Sequence, residues 1–261
     1  MYLLNKNEIN EYWSKSTPMS FVPEKLDYEE KRKFRYNLQD YMLEVFEFDE
    51  FKGKRVLEVG CGSGIDTAEF ARNGAIVTAI DLTKEGVELT KKLLNENGLA
   101  AKVMQADATN LPFEDKSFDC VYSYGVLHHI PELEKALAEI HRVLKPGGKL
   151  MVMLDHRNSL LYAYSIIYWR GIQEGMLKKL SEDELVSRYS ERNEGCPYTR
   201  VFTQDEAKKV FSRWFVEIET TVKYNVIDTP EQRKVKITLP VECDLGWHLI
   251  LKATKSPLYK I

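Results

Sequence analysis

Two short apolar runs of the chain end in residues that could bind a ligand. Glycines at two-residue spacing follow the first run, and a carboxylate follows the second. The first run leads into Gly60, Gly62 and Gly64, and the second, residues 76–80, ends in Asp81. Glycine lets a backbone approach a ligand closely, and the N–H groups at a helix start favour anionic ligand atoms. A carboxylate at a strand tip suits the two hydroxyls of a ribose. These residues predict a nucleoside pocket at the carboxyl edge of a parallel sheet.

The spacing of the glycines distinguishes between kinds of nucleoside. A dinucleotide fingerprint, G-x-G-x-x-G, makes room for a pyrophosphate. Here the third glycine comes one residue early, at Gly64, and Ile65 follows it. Glu58 precedes the first glycine by two residues, where a carboxylate would repel a pyrophosphate but attract a sulfonium or amino group. A nicotinamide-dependent oxidoreductase therefore remains only as an alternative.

Further motifs follow in order along the chain. They are Asp107-Ala108, Leu111-Pro112-Phe113, Phe118-Asp119, Val126-Leu127-His128-His129 and Arg142 to Gly148. With the glycine motif, this series over residues 55–154 resembles the class I S-adenosylmethionine-dependent methyltransferases. It resembles the subgroup that includes quinone-biosynthesis methyltransferases, which favours a small-molecule acceptor. The resemblance implies S-adenosylmethionine as the cofactor and S-adenosylhomocysteine as the product.

The resemblance also implies which residues contact the methionine end of that cofactor. The glycine loop, with Cys61 inside it, would wrap the methionine portion. Glu58 would orient this loop or hold the amino group through water, and Tyr124 would face the same end. The ordinary alternative for each glycine is a turn without a ligand.

At the nucleoside end, the resemblance assigns four residues. Asp81 would bind the ribose hydroxyls, and Leu82 would pack on the adenine. Asp107 would accept a hydrogen bond from the adenine amino group, and the main-chain N–H of Ala108 would donate to the ring. Both carboxylates have a simpler alternative as helix caps or surface-loop residues.

Two histidines follow the fourth predicted strand on the acceptor side. A histidine there can take a proton from a hydroxyl or an amine because its pKa lies near neutrality. We expect His129, or less directly His128, to act as a catalytic base. The alternative is a packing or capping role before Pro131.

Candidate acceptor-binding residues lie outside these motifs. They are Arg35, His156, Tyr198 and Arg200. An arginine can bind an acidic acceptor by a bidentate contact, or it can pair with neighbouring acids such as Glu29 and Glu30. The close spacing of Tyr162, Tyr164, Tyr168 and Trp169 rules out a single helix stripe. These rings pack in the core or line an acceptor pocket, an interface or the surface.

Composition limits the classes of partner. The 261 residues carry a formal net charge of −3, so no basic excess indicates nucleic acid. The four cysteines are scattered, and the His and Asp residues lack ligand spacing, so we expect no metal and no disulfide framework. No apolar stretch approaches the roughly 20 residues of a membrane span, and no signal peptide is evident. We expect a cytoplasmic monomer or homodimer.

The elements that position these residues alternate between strand and helix. Strands are predicted at 55–59, 76–80, 102–105, 118–123 and 149–154, with a helix at 131–144. This alternation implies a mostly parallel sheet with right-handed crossovers. We divide the chain into a helical cover (1–52), a cofactor-binding core (53–154), an inserted lid (155–202) and the end of the core (203–261).

The predicted fold is therefore α/β and Rossmann-like, with a seven-stranded, mostly parallel sheet, helices on both faces, a helical cover and an inserted lid. The predicted function is methyl transfer from S-adenosylmethionine to an oxygen, nitrogen or carbon atom of a small molecule. The alternatives are a protein or RNA acceptor, a nicotinamide-dependent oxidoreductase, and a non-catalytic S-adenosylmethionine-binding protein.

Overall fold

The structure is a computed structural model of the chain. It describes residues 6–16, 26–191, 194–228, 234–236 and 243–256. The strands are β1 (Arg55–Val59), β2 (Ile76–Asp81), β3 (Lys102–Gln105), β4 (Phe118–Tyr124), β5 (Leu144–Asp155), β6 (Val216–Lys223), β7 (Val226–Asp228), β8 (Lys234–Lys236) and β9 (His248–Thr254). The α-helices are α1 (Lys6–Ser16), α2 (Tyr28–Leu38), α3 (Met42–Phe46), α4 (Ile65–Arg72), α5 (Lys84–Glu96), α6 (Leu133–Val143), α7 (Glu182–Tyr189) and α8 (Gln204–Phe211).

Seven strands form one sheet in the order β3-β2-β1-β4-β5-β9-β6. β1 to β5 pair in parallel, and β9 runs antiparallel to both β5 and β6. β7 and β8 form a separate two-stranded ribbon. The predicted seven-stranded, mostly parallel sheet is confirmed.

Two hydrophobic clusters cover the two faces of the sheet. One contains residues from α2 to α5 and from the segment after β5, and the other contains residues from α6 and α8. The interior strands are apolar because helices bury both of their faces. In α6, Leu133, Leu137 and Ile140 are buried on one stripe, as their helical spacing predicts.

The amino-terminal cover consists of short helices rather than one long one. α2 begins with a capping box in which Asp27 accepts from the N–H of Glu30 and Glu30 accepts from that of Asp27. The helix ends at Leu38, and α3 resumes at Met42. Residues 28–46 are helical except at residues 39–41, between α2 and α3.

The segment after β5 contains a thirteen-residue π-helix, Leu161–Gln173. Its wider turn places Leu161, Ser165 and Ile166 inward. The rings of Tyr164 and Tyr168 are 45% and 43% exposed and stack on each other. Core packing is therefore the wrong explanation for these two tyrosines, and the surface alternative is confirmed.

Strand β5 is longer than predicted. It begins at Leu144 rather than at residue 149, and its pairing with β4 shifts register between Phe118 and Cys120. The Pro-Gly-Gly sequence that ends α6 therefore lies within a bulged strand, where an extra residue is accommodated by bending. In the described part of the chain, the helices are all too short or too polar to cross a bilayer.

Candidate functional site

The candidate site lies where the strand order of the sheet reverses. β1 has β2 on one side and β4 on the other. The chain therefore leaves these strands in different directions, and a ligand crevice is expected beside the loop after β1 (residues 60–64) and the turn after β4 (residues 125–129). Ligands of open α/β sheets bind in such crevices.

The glycine loop packs closely against its neighbours. A Cβ added to Gly60 would lie 2.2 Å from Cγ2 of Val126, and one added to Gly64 would lie 2.8 Å from Cα of Thr90. Both glycines, and Gly62, have positive φ angles, which glycine adopts without steric cost. The loop therefore needs glycine to turn tightly between the β4 turn and α5.

Asp81 joins the glycine loop to the start of α5. One of its carboxylate oxygens accepts from the N–H of Gly62 at 2.9 Å, and the other accepts from the N–H and hydroxyl of Thr83. A Cβ at Gly86 would lie 2.6 Å from the carboxyl carbon. Cys61 is buried beside this contact, and burial raises the pKa of its thiol. The carboxylate is thus held in place at the tip of β2, where a ribose contact is predicted.

The predicted adenine end lies at the tips of β2 and β3. Leu82 is half-buried and Ala108 is buried. One oxygen of Asp107 accepts from the N–H and hydroxyl of Thr109, and the other pairs with the Lys6 ammonium at 2.8 Å. Burial raises the pKa of Asp107, but its hydrogen bonds to Lys6 and Thr109 outweigh this and lower the pKa overall. Helix α1 therefore covers this end of the crevice.

Glu58 and Asp66 lie on the other side of the glycine loop, and together with Asp81 they make three buried carboxyl groups around that loop. Glu58, Asp66 and Asp81 are each less than 10% exposed. Thr67 donates to Glu58 from its hydroxyl. Burial raises the pKa of Glu58 well above its usual range, and the Asp66 carboxylate adds to the shift. The guanidinium of Arg35 pairs with Asp66 at 2.8 Å. One guanidinium thus faces three acidic side chains.

Asp66 holds several elements together. It accepts from the hydroxyls of Tyr36 in α2 and Tyr122 in β4, in addition to its ion pair with Arg35. Pairing of Arg35 with Glu29 or Glu30 is therefore the wrong alternative, because its partner comes from α4. With its guanidinium engaged, Arg35 fixes α2 against the sheet, and its predicted contact with an acidic acceptor stays a prediction.

Tyr124, at the tip of β4, belongs to a buried polar network. Its hydroxyl lies 2.6 Å from that of Tyr41 and 3.1 Å from Nδ1 of His248, and it donates to the side-chain amide oxygen of Gln39. The guanidinium of Arg35 lies 4.5 Å from the centre of the Tyr124 ring. Burial raises the pKa of Tyr124 far above neutrality. The phenol therefore stays protonated and bridges the helical cover to β4 and β9.

The two predicted catalytic histidines lie side by side in the turn after β4. Nε2 of His128 is 3.5 Å from an Asp155 oxygen, and Nε2 of His129 is 3.5 Å from a Glu191 oxygen. Trp13 of α1 packs on the His129 ring with 4.7 Å between ring centres. Both histidines are thus buried between α1, the tip of β5 and the segment after α7.

The surroundings of these rings shift their pKa values in opposite directions. Burial and the adjacent His129 lower the pKa of His128 well below its usual range. Burial also lowers the pKa of His129, but Cys196 and Glu191 outweigh it and bring the value well above the usual range. His128 is therefore neutral at neutral pH. His129 keeps both ring protons, because Cys196 and Glu191 stabilise its charged form.

Two predicted acceptor-binding residues lie beside this histidine turn. The carbonyl of Tyr198 is 3.0 Å from Nδ1 of His129, and the N–H of Arg200 donates to the carbonyl of His128 at 2.9 Å. The Arg200 guanidinium is exposed and stacks over Phe202. The structure thus brings Tyr198 and the backbone of Arg200 to the histidines, while the charged group of Arg200 lies at the surface.

His156 lies apart from the other candidates. It is buried, and its Nδ1 is 3.0 Å from the carbonyl oxygen of Gly246. It lines an open cleft together with Asn158, Thr203 and Asp244. The chain thus places it at the start of α8, and its predicted contact with the acceptor stays a prediction.

Sequence reasoning assigned no site role to several residues that border the crevice. Asp66 lies two residues after the last glycine of the loop, and its position in the first turn of a helix was the feature of the sequence that could have indicated a site role. Lys6 and Trp13 reach the crevice from α1, and Glu191 and Cys196 reach it from within the lid. Their distance along the chain gave no signal.

Residues 57–152 match a protein-family model described as "Methyltransferase domain". This range contains β2 to β4 and most of β1 and β5, with the glycine loop, Asp81, Asp107 and the histidine turn. The match thus covers the crevice but leaves out the helical cover and the lid.

Curated relatives are methyltransferases with different acceptors. Phthiotriol/phenolphthiotriol dimycocerosates methyltransferase 1 of Mycobacterium ulcerans is 38% identical over 139 residues, 52% of this chain and 49% of that protein. Fatty-acid O-methyltransferase of Mycolicibacterium smegmatis is 37% identical over 151 residues, 57% of this chain and 52% of that protein. Ubiquinone biosynthesis O-methyltransferase of Coxiella burnetii is 32% identical over 116 residues, 44% of this chain and 50% of that protein. The chain spans about half the length of these relatives.

Solved structures share the fold. A SAM-dependent methyltransferase from Methanosarcina mazei superposes with a TM-score of 0.59 at 24% identity, covering 78% of this chain and 93% of that one. The YcgJ protein from Bacillus superposes with a TM-score of 0.57 at 18% identity, covering 84% of this chain and 99% of that one. At these identities the likeness is one of fold.

Proposed function

We propose that this chain, which contains a class I S-adenosylmethionine-dependent methyltransferase domain, moves a methyl group from S-adenosylmethionine to a small-molecule acceptor and releases S-adenosylhomocysteine. The family match to residues 57–152 and the named methyltransferase relatives support the reaction type. The acceptor atom is an oxygen, nitrogen or carbon. The helical cover and the lid, which flank the family match, would select the acceptor.

The observation that carries the proposal is a group of buried acidic side chains beside a glycine loop at the switch point of the sheet. Asp66 is paired with Arg35, and burial raises the pKa of Glu58. Asp81 is therefore the main uncompensated charge. Glu58, Asp66 and Asp81 are buried there, and Arg35 supplies one guanidinium among them. In this low-dielectric setting a cationic sulfonium and an amino group are attracted, whereas a pyrophosphate is repelled. The residues present therefore fit S-adenosylmethionine better than a dinucleotide.

Each end of the crevice has a separate task in this proposal. The Gly62 N–H already orients the Asp81 carboxylate, whose oxygens have further lone pairs for ribose hydroxyls. Leu82 packs on the adenine, the main-chain N–H of Ala108 donates to its ring, and Asp107 accepts from its amino group. Because Lys6 pairs with the Asp107 carboxylate, α1 must share or yield this group when adenine binds.

When bound, the cofactor supplies an electrophilic methyl group on a sulfonium. The chain's contribution is then mainly to hold the acceptor in line behind that group, since orientation alone can supply much of the rate. Tyr124 and its network with Tyr41, Gln39 and His248 would make a rigid wall at the methionine end. Burial raises the pKa of Tyr41 and of Tyr124, so these two phenols keep their protons at neutral pH and position groups rather than act as bases.

We propose an acceptor with a large apolar part. The named relatives act on a dimycocerosate lipid, a fatty acid and a ubiquinone precursor by their printed names. The acceptor side of this crevice also has an aromatic wall, because Trp13 packs on His129 and Tyr12 packs on Trp13. An apolar acceptor gains from burial against such rings.

A base role for the histidines stays a proposal, and their electrostatics constrain it. His129 holds its proton too firmly for an efficient base, whereas His128 is neutral. Rates fall when a base is already protonated at the working pH. If proton removal by one of the two limits the rate, His128→Asn will lower kcat more than His129→Asn.

The direct test is transfer of label from methyl-labelled S-adenosylmethionine to a panel of acceptors. The panel contains hydroxylated fatty acids, a sterol, catechols, an unmodified protein extract and total RNA. Label in an organic extract supports the proposal, and label in protein or RNA supports a macromolecular acceptor. Saturable binding of the cofactor without transfer to any acceptor supports a non-catalytic protein, and binding of NAD instead supports an oxidoreductase.

A further inference from the structure

We propose that His128, His129 and Glu191 form a binding site for one divalent transition-metal ion. One possible ligand atom from each residue lies within 4.8 Å of the other two. The histidine side chains are 1% and 5% exposed, and that of Glu191 is 20% exposed. The site borders the acceptor side of the crevice, so its catalytic use rests on the proposed function.

The hydrogen bond at Nδ1 of His129 identifies the atom that would bind the metal. Nδ1 lies 3.0 Å from the main-chain carbonyl of Tyr198. A carbonyl only accepts, so Nδ1 carries the hydrogen and Nε2 presents a lone pair in the neutral ring. Nε2 lies 3.5 Å from the Glu191 oxygen, which is also an acceptor. Without a metal, the second ring proton of His129 lies between these two atoms, and a metal ion would replace that proton.

His128 has the complementary arrangement. Its Nε2 lies 3.5 Å from an oxygen of Asp155, which favours a hydrogen on that nitrogen. Its Nδ1 is buried and has no hydrogen-bond partner among the residues that the structure describes. A buried nitrogen without a partner is costly, and a metal ion would remove this cost. Each histidine thus has an outer partner on one nitrogen and a lone pair on the other, as metal-bound histidines do.

The dimensions suit a small cation after a modest adjustment. Ligand atoms about 2.0–2.1 Å from a tetrahedral metal lie roughly 3.4 Å from one another. The 3.5 Å separation between Nε2 of His129 and the Glu191 oxygen already matches this, and all three ligand atoms lie within 4.8 Å of one another, so binding would draw them together by no more than about 1.4 Å. Two imidazoles and a carboxylate favour Zn²⁺, with Co²⁺ as a spectroscopic substitute.

A three-ligand site leaves a coordination position for the acceptor. There the metal would bind a hydroxyl of the acceptor and lower its pKa, so that the proton leaves to water. The resulting oxygen anion forms the new O–CH₃ bond while the S–CH₃ bond breaks and the sulfonium becomes a neutral thioether. The acceptor class is therefore a hydroxylated molecule, and neither histidine takes up the proton.

The test is a cobalt titration of the full chain, freed of metal with a chelator and followed by visible absorption. We expect one equivalent of Co²⁺ to produce saturable d–d bands, and excess Zn²⁺ to remove them. Glu191→Gln changes a partly exposed side chain and should fold, yet we expect it to weaken Co²⁺ binding at least tenfold. The matched control His141→Asn changes a histidine that packs on Trp214 and Phe215, and it should bind as the wild type does.

Absence of saturable bands, or equal affinity in Glu191→Gln, overturns the metal site and leaves His129 and Glu191 as an ion pair held by a proton. The same samples are titrated with S-adenosylmethionine. If the cofactor binds and cobalt does not, the metal site fails while the proposed function stands. If cobalt binds and the cofactor does not, the proposed function fails while the metal site stands.

Discussion

Gly60→Ala tests how closely the glycine loop must pack against the turn after β4. The added Cβ would lie 2.2 Å from Cγ2 and 3.1 Å from Cβ of Val126. Val126 is β-branched and cannot swing away easily. A non-glycine residue at the φ of +83° costs about 1–2 kcal/mol, and overpacking adds about 1–3 kcal/mol. We expect a loss of about 2–5 kcal/mol in the free energy of unfolding.

Two further variants separate the backbone strain from the clash. Gly98→Ala places alanine at a φ of +62° with nothing within 4 Å of its Cβ, so it should lose only the strain of about 1–2 kcal/mol. Val126→Ala removes the methyl groups that cause the clash. In the double variant with Gly60→Ala we therefore expect part of the loss to be recovered, with a coupling energy of about 1 kcal/mol or more.

The assay is urea unfolding of all four variants, paired with calorimetric titration of S-adenosylmethionine. We expect Gly60→Ala to weaken cofactor binding at least tenfold and Gly98→Ala to leave it unchanged. Equal stability losses at the two glycines, with wild-type cofactor affinity in both, would refute the argument that this loop is packed to fit a ligand.

Three further predictions concern residues around the crevice. Lys6→Ala removes a largely exposed ion pair with Asp107, so the free energy of unfolding should change by less than about 1 kcal/mol. Because the Lys6 ammonium competes with adenine for Asp107, cofactor affinity measured by calorimetry should rise by up to about fivefold. Weaker cofactor binding would contradict this. The pKa of Glu58 is higher in the folded than in the unfolded state, so the wild type loses stability as the pH rises above the unfolded-state pKa. Glu58→Gln lacks this loss and should therefore gain stability relative to the wild type between pH 5 and pH 8, as measured by urea unfolding. The same difference in stability at both pH values would disprove this. Trp13→Ala removes a ring contact with His129 worth about 0.5–1.5 kcal/mol. Since this ring belongs to the proposed acceptor wall, KM for the acceptor should rise several-fold while cofactor affinity stays unchanged. Steady-state kinetics with labelled cofactor measures this.

The sheet was predictable because its strands are short apolar runs bounded by turn residues. β1 and β3 have the predicted bounds, and β2 and β4 each extend one residue further. Burial on both faces leaves a continuous hydrophobic signal in such strands. The capping boxes that open α7 and α8 were also readable, because Ser181 with Glu184 and Thr203 with Glu206 form them locally.

Contacts between distant segments could not be predicted in the same way. Lys6 reaches Asp107 across 101 positions of the chain, and no local pattern encodes that approach. The expectation of no metal rested on the spacing of His and Asp residues along the sequence. Glu191 lies far from the two histidines in the sequence, and the lid brings it to them in space. The π-helix is likewise set by packing, since its hydrophobic residues fit no ordinary helical period.

The measurement that tests the central claim most directly is calorimetric titration of S-adenosylmethionine into the wild type and Asp81→Ala. We predict saturable binding to the wild type. We expect at least a tenfold loss in the variant, because a charged hydrogen-bond acceptor for the ribose disappears along with the contact that orients Gly62. Equal affinity in the two proteins, or binding of NAD in place of S-adenosylmethionine, would contradict the account.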